Sequence, residues 1–391
     1  MSRLTELIQE LCPNGVEFKK IKEVYQRLKG TPITASKMKE IENPQGEIRI
    51  FAGGKTVINA KEIDIPNANI TRVPAVLVQS RGVIDAVYYD KPFTFKNEMW
   101  AYTTENPVSV KFLYYVLKNN MEYFRSAAAG MGSLPQISLP VTEDFEIPLP
   151  PIEVQREIVR ILDTFTELAA ELAAELAARK QQYAYYRDNL LTFRVDITRK
   201  SLDELCTISA AGDAPKDALS LTKTAEYQIP VISNGIGENA FYGYTDKPKI
   251  TEPAVTVAAR GTIGYAEYRD YPYYPIIRLL SVIPKNTAVL ATKYLYYCMQ
   301  GKKYNVPLGG IPQLTAPELK KVVIPVPPLP VQQRIVTVLD NFDAICSDLN
   351  IGLPAEIEAR KKQYEFYRDQ LLTFAVQDEI VLTDRQTDRQ T

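Results

Sequence analysis

The sequence predicts an α+β fold made by tandem duplication, in which a mixed, mostly β domain is followed by a long helix and the pair is then repeated. Three observations predict it. Five blocks of sequence recur in the same order, each copy changes character at a double proline, and an apolar stripe of helical period follows each double proline.

The blocks run in register through the chain. Pro74-Ala75-Val76 leading to Ser80-Arg81-Gly82 is answered by Pro253-Ala254-Val255 leading to Ala259-Arg260-Gly261. Lys111-Phe112-Leu113-Tyr114-Tyr115 returns as Lys293-Tyr294-Leu295-Tyr296-Tyr297, and the Gly-rich stretch ending Pro135-Gln136-Ile137-Ser138 as that ending Pro312-Gln313-Leu314-Thr315. The run from Pro150-Pro151 to Val159 matches that from Pro327-Pro328 to Val336, and Tyr183–Phe193 (YAYYRDNLLTF) matches Tyr364–Phe374 (YEFYRDQLLTF). A period of about 180 residues is far longer than a solenoid repeat, so the unit that duplicated is a domain with its helix.

Before each double proline, short β-rich runs such as Ala75-Val76-Leu77-Val78 and Ala254-Val255-Thr256-Val257 alternate with Gly, Pro and Asn clusters. After it, Ile158, Leu162, Phe165, Leu168, Leu172, Leu176, Tyr183, Tyr186, Leu190 and Phe193 recur at steps of three and four or their sums. That stripe belongs to a helix of roughly 40 residues, on the order of 60 Å long. Proline is tolerated in a first helical turn, so the double proline is a natural start. The second stripe runs Ile335, Leu339, Phe342, Ile345, Leu349, Leu353, Ile357, Tyr364, Tyr367, Leu371 and Phe374, with a break expected near Leu353 where Gly352 and Pro354 interrupt it. Each stripe needs a partner, and the other copy is the obvious one, giving a coiled coil. Glu167–Ala178 reads ELAA three times, a rigid helical spacer.

Composition bounds the function. The chain has 391 residues, 46% hydrophobic and 24% charged, as in ordinary globular proteins. No basic-then-apolar leader follows Met1 and no long apolar run occurs, so a cytoplasmic protein without membrane contact is expected. Cys12, Cys206, Cys298 and Cys346 form no CxxC pair, and histidine is absent, which removes the commonest general base and metal ligand. There is no GxxxxGK(S/T) phosphate loop and no Asn-Pro-Pro-Tyr or Asp-Pro-Pro-Tyr motif; Gly53-Gly54-Lys55 and Gly261-Thr262-Ile263-Gly264 read as turns or bulges. Residues 1–146 carry a net charge of +1 and residues 195–325 a net +3, while the remaining stretches together carry −5. Mildly basic blocks alternating with acidic helical ones suit a protein that touches DNA with one part and protein with another.

The GxxPQ(I/L)(S/T) loops, the IPLPPIEVQREIVRILD and IPVPPLPVQQRIVTVLD runs, the ELAA spacer and the RKQQYAYYRDNLLTF and RKKQYEFYRDQLLTF endings together resemble the type I restriction-modification specificity subunit family over nearly the whole chain. The resemblance implies a non-catalytic DNA-specificity subunit with two target recognition domains, each reading one half of a bipartite, asymmetric double-stranded site. It implies that the helices pair antiparallel and set the gap between half-sites. It also implies docking of two methyltransferase subunits and two restriction (motor-nuclease) subunits, with S-adenosylmethionine, ATP and Mg on those partners and no cofactor in this chain. The corresponding divisions are 1–147 and 195–325 for the recognition domains, 148–194 and 326–376 for the helical regions, and 377–391 for a polar, disordered tail. A stand-alone DNA-binding protein or a coiled-coil scaffold of the same architecture is the alternative.

Bases are read mainly by Arg, Lys, Asn, Gln and Ser/Thr, with Arg and Lys also holding phosphates. Arg81 and Arg260, each at a strand end before a glycine, fit a phosphate clamp or a structural turn, and Gln136 and Gln313 face the duplex or cap their loops. Residues shared by both copies cannot alone distinguish two half-sites. Readers are therefore expected where the copies diverge, as in Lys91–Asn97 (Lys91, Lys96, Asn97) against Tyr268–Arg278 (Arg269, Arg278), with Lys55, Lys247 and Lys249 as further DNA-binding candidates. Packing between helices or against partner subunits is expected at Ile158, Leu162, Phe165, Leu168, Leu172, Leu176, Tyr186, Leu190, Ile335, Leu339, Phe342, Tyr367 and Leu371.

Overall fold

The computed structural model describes residues 3–54, 56–65, 67–128, 135–193, 197–304, 312–347 and 352–374. Contacts divide the chain into two compact units, residues 1–172 with 357–391 and residues 173–356. Each unit therefore takes its β-rich domain from one repeat and helical segments from both.

Unit 1 begins with α1 (Arg3–Leu11), β1 (Phe18–Lys20), the one-turn α2 (Ile21–Val24) and β2 (Gln26–Leu28). The Thr34 hydroxyl caps α3 (Ala35–Ile41) by accepting from the Lys37 N–H. There follow β3 (Ile48–Phe51), β4 (Val57–Ala60), β5 (Ala75–Gln79), β6 (Asp85–Tyr89), β7 (Phe93–Phe95) and β8 (Trp100–Thr103). They form an antiparallel sheet of order β2-β8-β5-β6 and a smaller sheet of order β4-β3-β7, in which β3 and β7 run parallel. Every residue of β5 is buried because alternate side chains serve two cores. Val76 and Val78 join the main core with the helices, and Ala75 and Leu77 join Phe93 and Phe95 in the other. Asn106 caps α4 (Pro107–Asn119), which starts on proline and buries Val110, Leu113 and Val116. After α5 (Met121–Ala127) and α6 (Leu139–Glu143), β9 (Glu146–Pro148) pairs antiparallel with β1 just before α7 (Ile152–Leu190).

Unit 2 repeats this plan strand for strand. β10 (Arg199–Ser201), α8 (Leu202–Leu205), β11 (Cys206–Ala210), β12 (Ile229–Ile232), β13 (Phe241–Thr245), β14 (Ala254–Val257), β15 (Ala266–Arg269), β16 (Tyr274–Pro275) and β17 (Leu280–Pro284) are followed by α9 (Thr292–Met299), α10 (Ala316–Lys320) and β18 (Val323–Pro325). The sheet orders are β11-β17-β14-β15 and β13-β12-β16, with β12 and β16 parallel and β10 paired to β18. The duplication seen in five sequence blocks thus extends to nine matched strands.

The helices after the double prolines differ between repeats. α7 is one helix of 39 residues, with the ELAA blocks inside it. The second repeat has two helices, α11 (Leu329–Ser347) and α12 (Leu353–Thr373), on either side of the expected break. Within unit 1, Ile158 and Leu162 share a core with Leu371 and Leu372, while further along α7 Phe165 stacks on Tyr367 at 5.7 Å. Within unit 2, Arg179 and Lys180 lie near Cys346, Tyr183 near Asp343, and Tyr186 stacks on Phe342 at 5.4 Å. Rising numbers meet falling ones in both units, so the pairing is antiparallel. Leu349 and the tail from residue 375 lie outside the described residues. Among the described residues, no helix is long and apolar enough to cross a membrane.

A matched polar clip fixes each domain to its helix. In unit 1, Asp163 of α7 accepts from Lys111 Nζ at 2.7 Å and from the Tyr115 hydroxyl at 2.6 Å. In unit 2, Asp340 of α11 accepts from Lys293 Nζ at 2.8 Å and from the Tyr297 hydroxyl. Burial and the adjacent carboxylate both push the two phenols above their ordinary range, so they act as donors. A buried glutamine lies one to two turns back towards the double proline. Gln332 Nε2 donates to the carbonyls of Pro327 and Val289 at 2.8 Å, and its Oε1 accepts from the Ala291 N–H at the start of α9. Gln155 Nε2 makes the equivalent bond to the Pro150 carbonyl, but its buried Oε1 has no partner. The physical reason is local: α4 carries its own cap in Asn106, so no side chain from α7 is needed there.

Candidate nucleic-acid interface

In unit 1, four segments are hydrogen-bonded to one another: the residues just after β3, β5 and β7, and those just before α6. The Ser80 carbonyl accepts from the Ile137 N–H at 2.9 Å, and the Pro135 carbonyl accepts from the Gly82 N–H at 2.8 Å. Arg81 and Gln136 therefore face each other across a short antiparallel bridge. The Arg81 carbonyl also accepts from the Gly54 N–H, and Glu98 Oε1 from the Gly53 N–H at 3.2 Å. The Ser80 hydroxyl donates to the Glu98 carbonyl. Gly82 sits at φ +78°, a left-handed conformation that a side chain would resist, which explains the glycine after the arginine.

Unit 2 builds the same junction with other side chains. The Ala259 carbonyl accepts from the Leu314 N–H at 2.9 Å, and Gly261 is left-handed at φ +68°. Here Gln313 Oε1 accepts from both Nε and Nη2 of Arg260, at 3.0 and 2.7 Å, and so orients the guanidinium. Asn234, at the place of Gly53, ties the rest together. Its Oδ1 accepts from the Ala259 N–H at 2.8 Å, its carbonyl from the Thr262 hydroxyl at 2.7 Å, and its Nδ2 donates to the Ile277 carbonyl.

The structure thus brings together Arg81 with Gln136 and Asn97, and Arg260 with Gln313 and Arg278. Arg81, Gln136, Asn97 and Arg278 are exposed, and Arg260 and Gln313 are half-buried. Lys96, half-buried, pairs with Glu98 at 3.0 Å. Lys91 is exposed between β6 and β7. Lys247 and Lys249 are exposed between β13 and β14, Lys247 4.0 Å from Asp246 and Lys249 over the Tyr274 ring. Lys55 lies outside the described residues, as do Gly132–Leu134 and Gly309–Ile311.

Arg269 is a correction. Expected at the surface, it is 4% exposed, donating to Glu267 Oε2 and the Tyr271 hydroxyl, each at 2.7 Å. Burial raises the Glu267 carboxyl above its ordinary value, and Arg269 opposes that shift as its counter-charge. A buried, paired arginine cannot also hold a phosphate.

Among the packing candidates, Ile158, Leu162, Leu172, Ile335 and Leu339 are buried, and Phe165, Leu168, Leu176, Leu190, Phe342 and Leu371 are half-buried. Tyr186 and Tyr367 are more open but stack on Phe342 and Phe165. Ile345, counted on the second stripe, is 44% exposed instead. Sequence reasoning missed Asp163, Asp340 and Asn234. The two aspartates were visible inside the matched ILD and VLD runs, opposite the matched Lys-x-x-x-Tyr blocks. Asn234 carried no signal, because unit 1 has glycine in its place.

Comparison with known proteins agrees with this plan. The family model of the type I restriction modification DNA specificity domain matches residues 13–178 and again residues 194–359. A specificity-subunit relative from Mycoplasma pneumoniae is 34% identical over 283 residues, 68% of this chain and 83% of the relative. A second from the same organism is 29% identical over 366 residues, 90% of this chain and 96% of the relative. The specificity subunit of an Escherichia coli type I restriction enzyme is 32% identical over 300 residues, 69% and 72% of the two chains. Among solved structures, the S subunit of a type I restriction-modification system from M. genitalium has a TM-score of 0.60 at 16% identity, covering 92% of this chain and 97% of that one. With its specificity domain present twice and its fold shared across nearly the whole length, the chain belongs to the type I restriction-modification specificity subunits.

Proposed function

We propose that each β-rich domain reads one half of a bipartite, asymmetric site in double-stranded DNA, the chain itself doing no catalysis. The observation that carries this reading is the repeated four-segment junction. An arginine, a glycine and a glutamine are common to both copies, and the exposed turn beside them differs. A shared arginine suits the phosphate backbone, which is the same everywhere, and a diverged turn suits base edges, which are not. The long helices set the spacing between half-sites and dock two methyltransferase and two restriction subunits. In a cytoplasmic complex those partners bring S-adenosylmethionine, ATP and Mg. Docking is supported by Tyr185 and Phe366, matched aromatics that remain 67% and 59% exposed on α7 and α12.

The test is binding of the full chain, with its cognate methyltransferase subunit, to duplex DNA across a salt series. Reading DNA through Arg81 and Arg260 requires log affinity to fall linearly with log salt, and Arg260→Ala to reduce the slope by about one. Affinity indifferent to salt would favour a protein scaffold and defeat the proposal. Deleting one ELAA block is expected to shorten the gap and leave both half-sites unchanged.

A further inference from the structure

The turn between β7 and β8 and the turn between β16 and β17 hold the same place in the two domains. Each closes with the same hydrogen bond, Met99 N–H to the Lys96 carbonyl at 2.9 Å and Leu279 N–H to the Ile276 carbonyl at 3.1 Å. Their central residues differ in hand. Asn97 and Glu98 keep ordinary negative φ, whereas Ile277 and Arg278 stand at +53° and +59°. Two successive positive φ values make a mirror-image turn of type I′, for which Asn-Gly or Gly-Gly is the usual choice. A β-branched isoleucine at its first position is an outlier that must be held from outside. The holders are visible: the Ile277 N–H donates to the Gly212 carbonyl at 2.8 Å, and its carbonyl accepts from Asn234. The same Asn234 fixes the backbone that carries Arg260. The turn is thus clamped to the Arg260 loop, while the Ile277 side chain is 45% exposed and Arg278 is exposed.

Resting on the reading that these domains recognise DNA, we infer that the Ile277-Arg278 turn is a base-reading element of unit 2, with Arg278 recognising a guanine. The planar guanidinium donates two parallel hydrogen bonds to guanine O6 and N7 in the major groove. Ile277 presents the apolar surface that suits a neighbouring thymine methyl. Arg260, held by Gln313, grips the adjoining phosphate, and Asn234 positions turn and grip relative to each other. In unit 1 the corresponding turn offers Asn97 and an occupied Glu98 on an ordinary backbone, so it cannot read the same base.

The experiment is methylation of a randomised duplex library by the full chain with its cognate methyltransferase subunit, read by modified-base sequencing. Arg278→Ala is expected to abolish the base preference at one position of one half-site, a discrimination of about 5- to 150-fold. The other half-site should be unchanged, and Arg278→Lys should keep a weaker preference at the affected position. Arg260→Ala is expected to lower methylation at all sequences alike without altering the motif. If Arg278→Ala or Arg278→Lys leaves every position as selective as before, the inference is overturned while DNA reading stands. A uniform loss of methylation with an intact motif overturns it as well, since that is the signature of a phosphate or structural contact. If the unaltered chain selects no motif at all, it is the proposed function that fails.

Discussion

The turns at residues 96–99 and 276–279 sit at matched positions in two domains of the same strand order, yet one is an ordinary turn and the other its mirror image. The elements around them changed far less. Asp163 and Asp340 receive the same lysine and tyrosine, Gly82 and Gly261 hold the same left-handed backbone, and Gln155 and Gln332 cap the same carbonyl after a double proline. The contrast teaches which parts of the module are framework and which are free to vary. Residues that join domain to helix are constrained by both partners at once. The turn faces outward and is constrained only by the loops beside it, so it can change hand without disturbing the core.

The comparison breaks first if the framework is not equivalent in the two units. Leu162 and Leu339 are each fully buried at the domain–helix seam. Leu162→Ala and Leu339→Ala are each expected to cost about 2–5 kcal/mol, and by similar amounts, in denaturant unfolding. A large loss in one and none in the other would mean that only one seam is needed for stability.

The glutamines are expected to diverge. Gln332→Leu strands the Ala291 N–H and two carbonyls, for a cost of about 1–3 kcal/mol. Gln155→Leu gives up one bond and removes an acceptor that is already unpartnered, so its cost should be clearly smaller. Equal costs would contradict the account of Asn106 as a self-sufficient cap.

Turn hand gives the next contrast. Ile277→Gly removes a side chain from a left-handed position and is expected to stabilise the fold by about 1 kcal/mol, even as it alters recognition. Asn97→Gly, on an ordinary backbone, should be neutral or destabilising by a few tenths. A shared sign for the two changes would show that the hands do not differ.

The smallest effect is in acid. Backbone and hydroxyl donors of Ser201 and Thr315 hold the Glu204 and Glu318 carboxyls below their ordinary value of 4.5. Their contribution to stability is complete above that value and is lost as pH falls through the lower folded values. Glu267 has the opposite sign: its raised carboxyl favours the protonated form, so its contribution increases as pH falls from the folded value towards 4.5. Glu204→Gln and Glu318→Gln are expected to flatten the stability–pH curve below about 4.5, which thermal melts across pH can check.

Much of the fold was legible in the sequence because duplication exposes what both copies need. The Ala-Val-Leu-Val and Ala-Val-Thr-Val runs marked strands buried on both faces, and Gly352 with Pro354 marked the division of the second helix into α11 and α12. The division of α7 between two units was not legible, since an apolar stripe names a buried face but not the segments that cover it. Of the site, Arg81, Arg260, Gln136 and Gln313 were found from the repeat. Ile277 was not, because nothing in an isoleucine signals a turn, and its conformation is imposed from a distance by Gly212 and Asn234. Arg269 misled for a related reason: its neutralising Glu267 and Tyr271 stand two residues away on either side, which a count of surface charges cannot weigh.

The central claim is that two domains on one framework read two different sequences. Its most direct test is modified-base sequencing of DNA methylated by the unaltered chain with its cognate methyltransferase subunit. The account predicts one bipartite motif with two unlike half-sites at a fixed gap. A single uninterrupted motif, two identical half-sites, or methylation without any motif would contradict it.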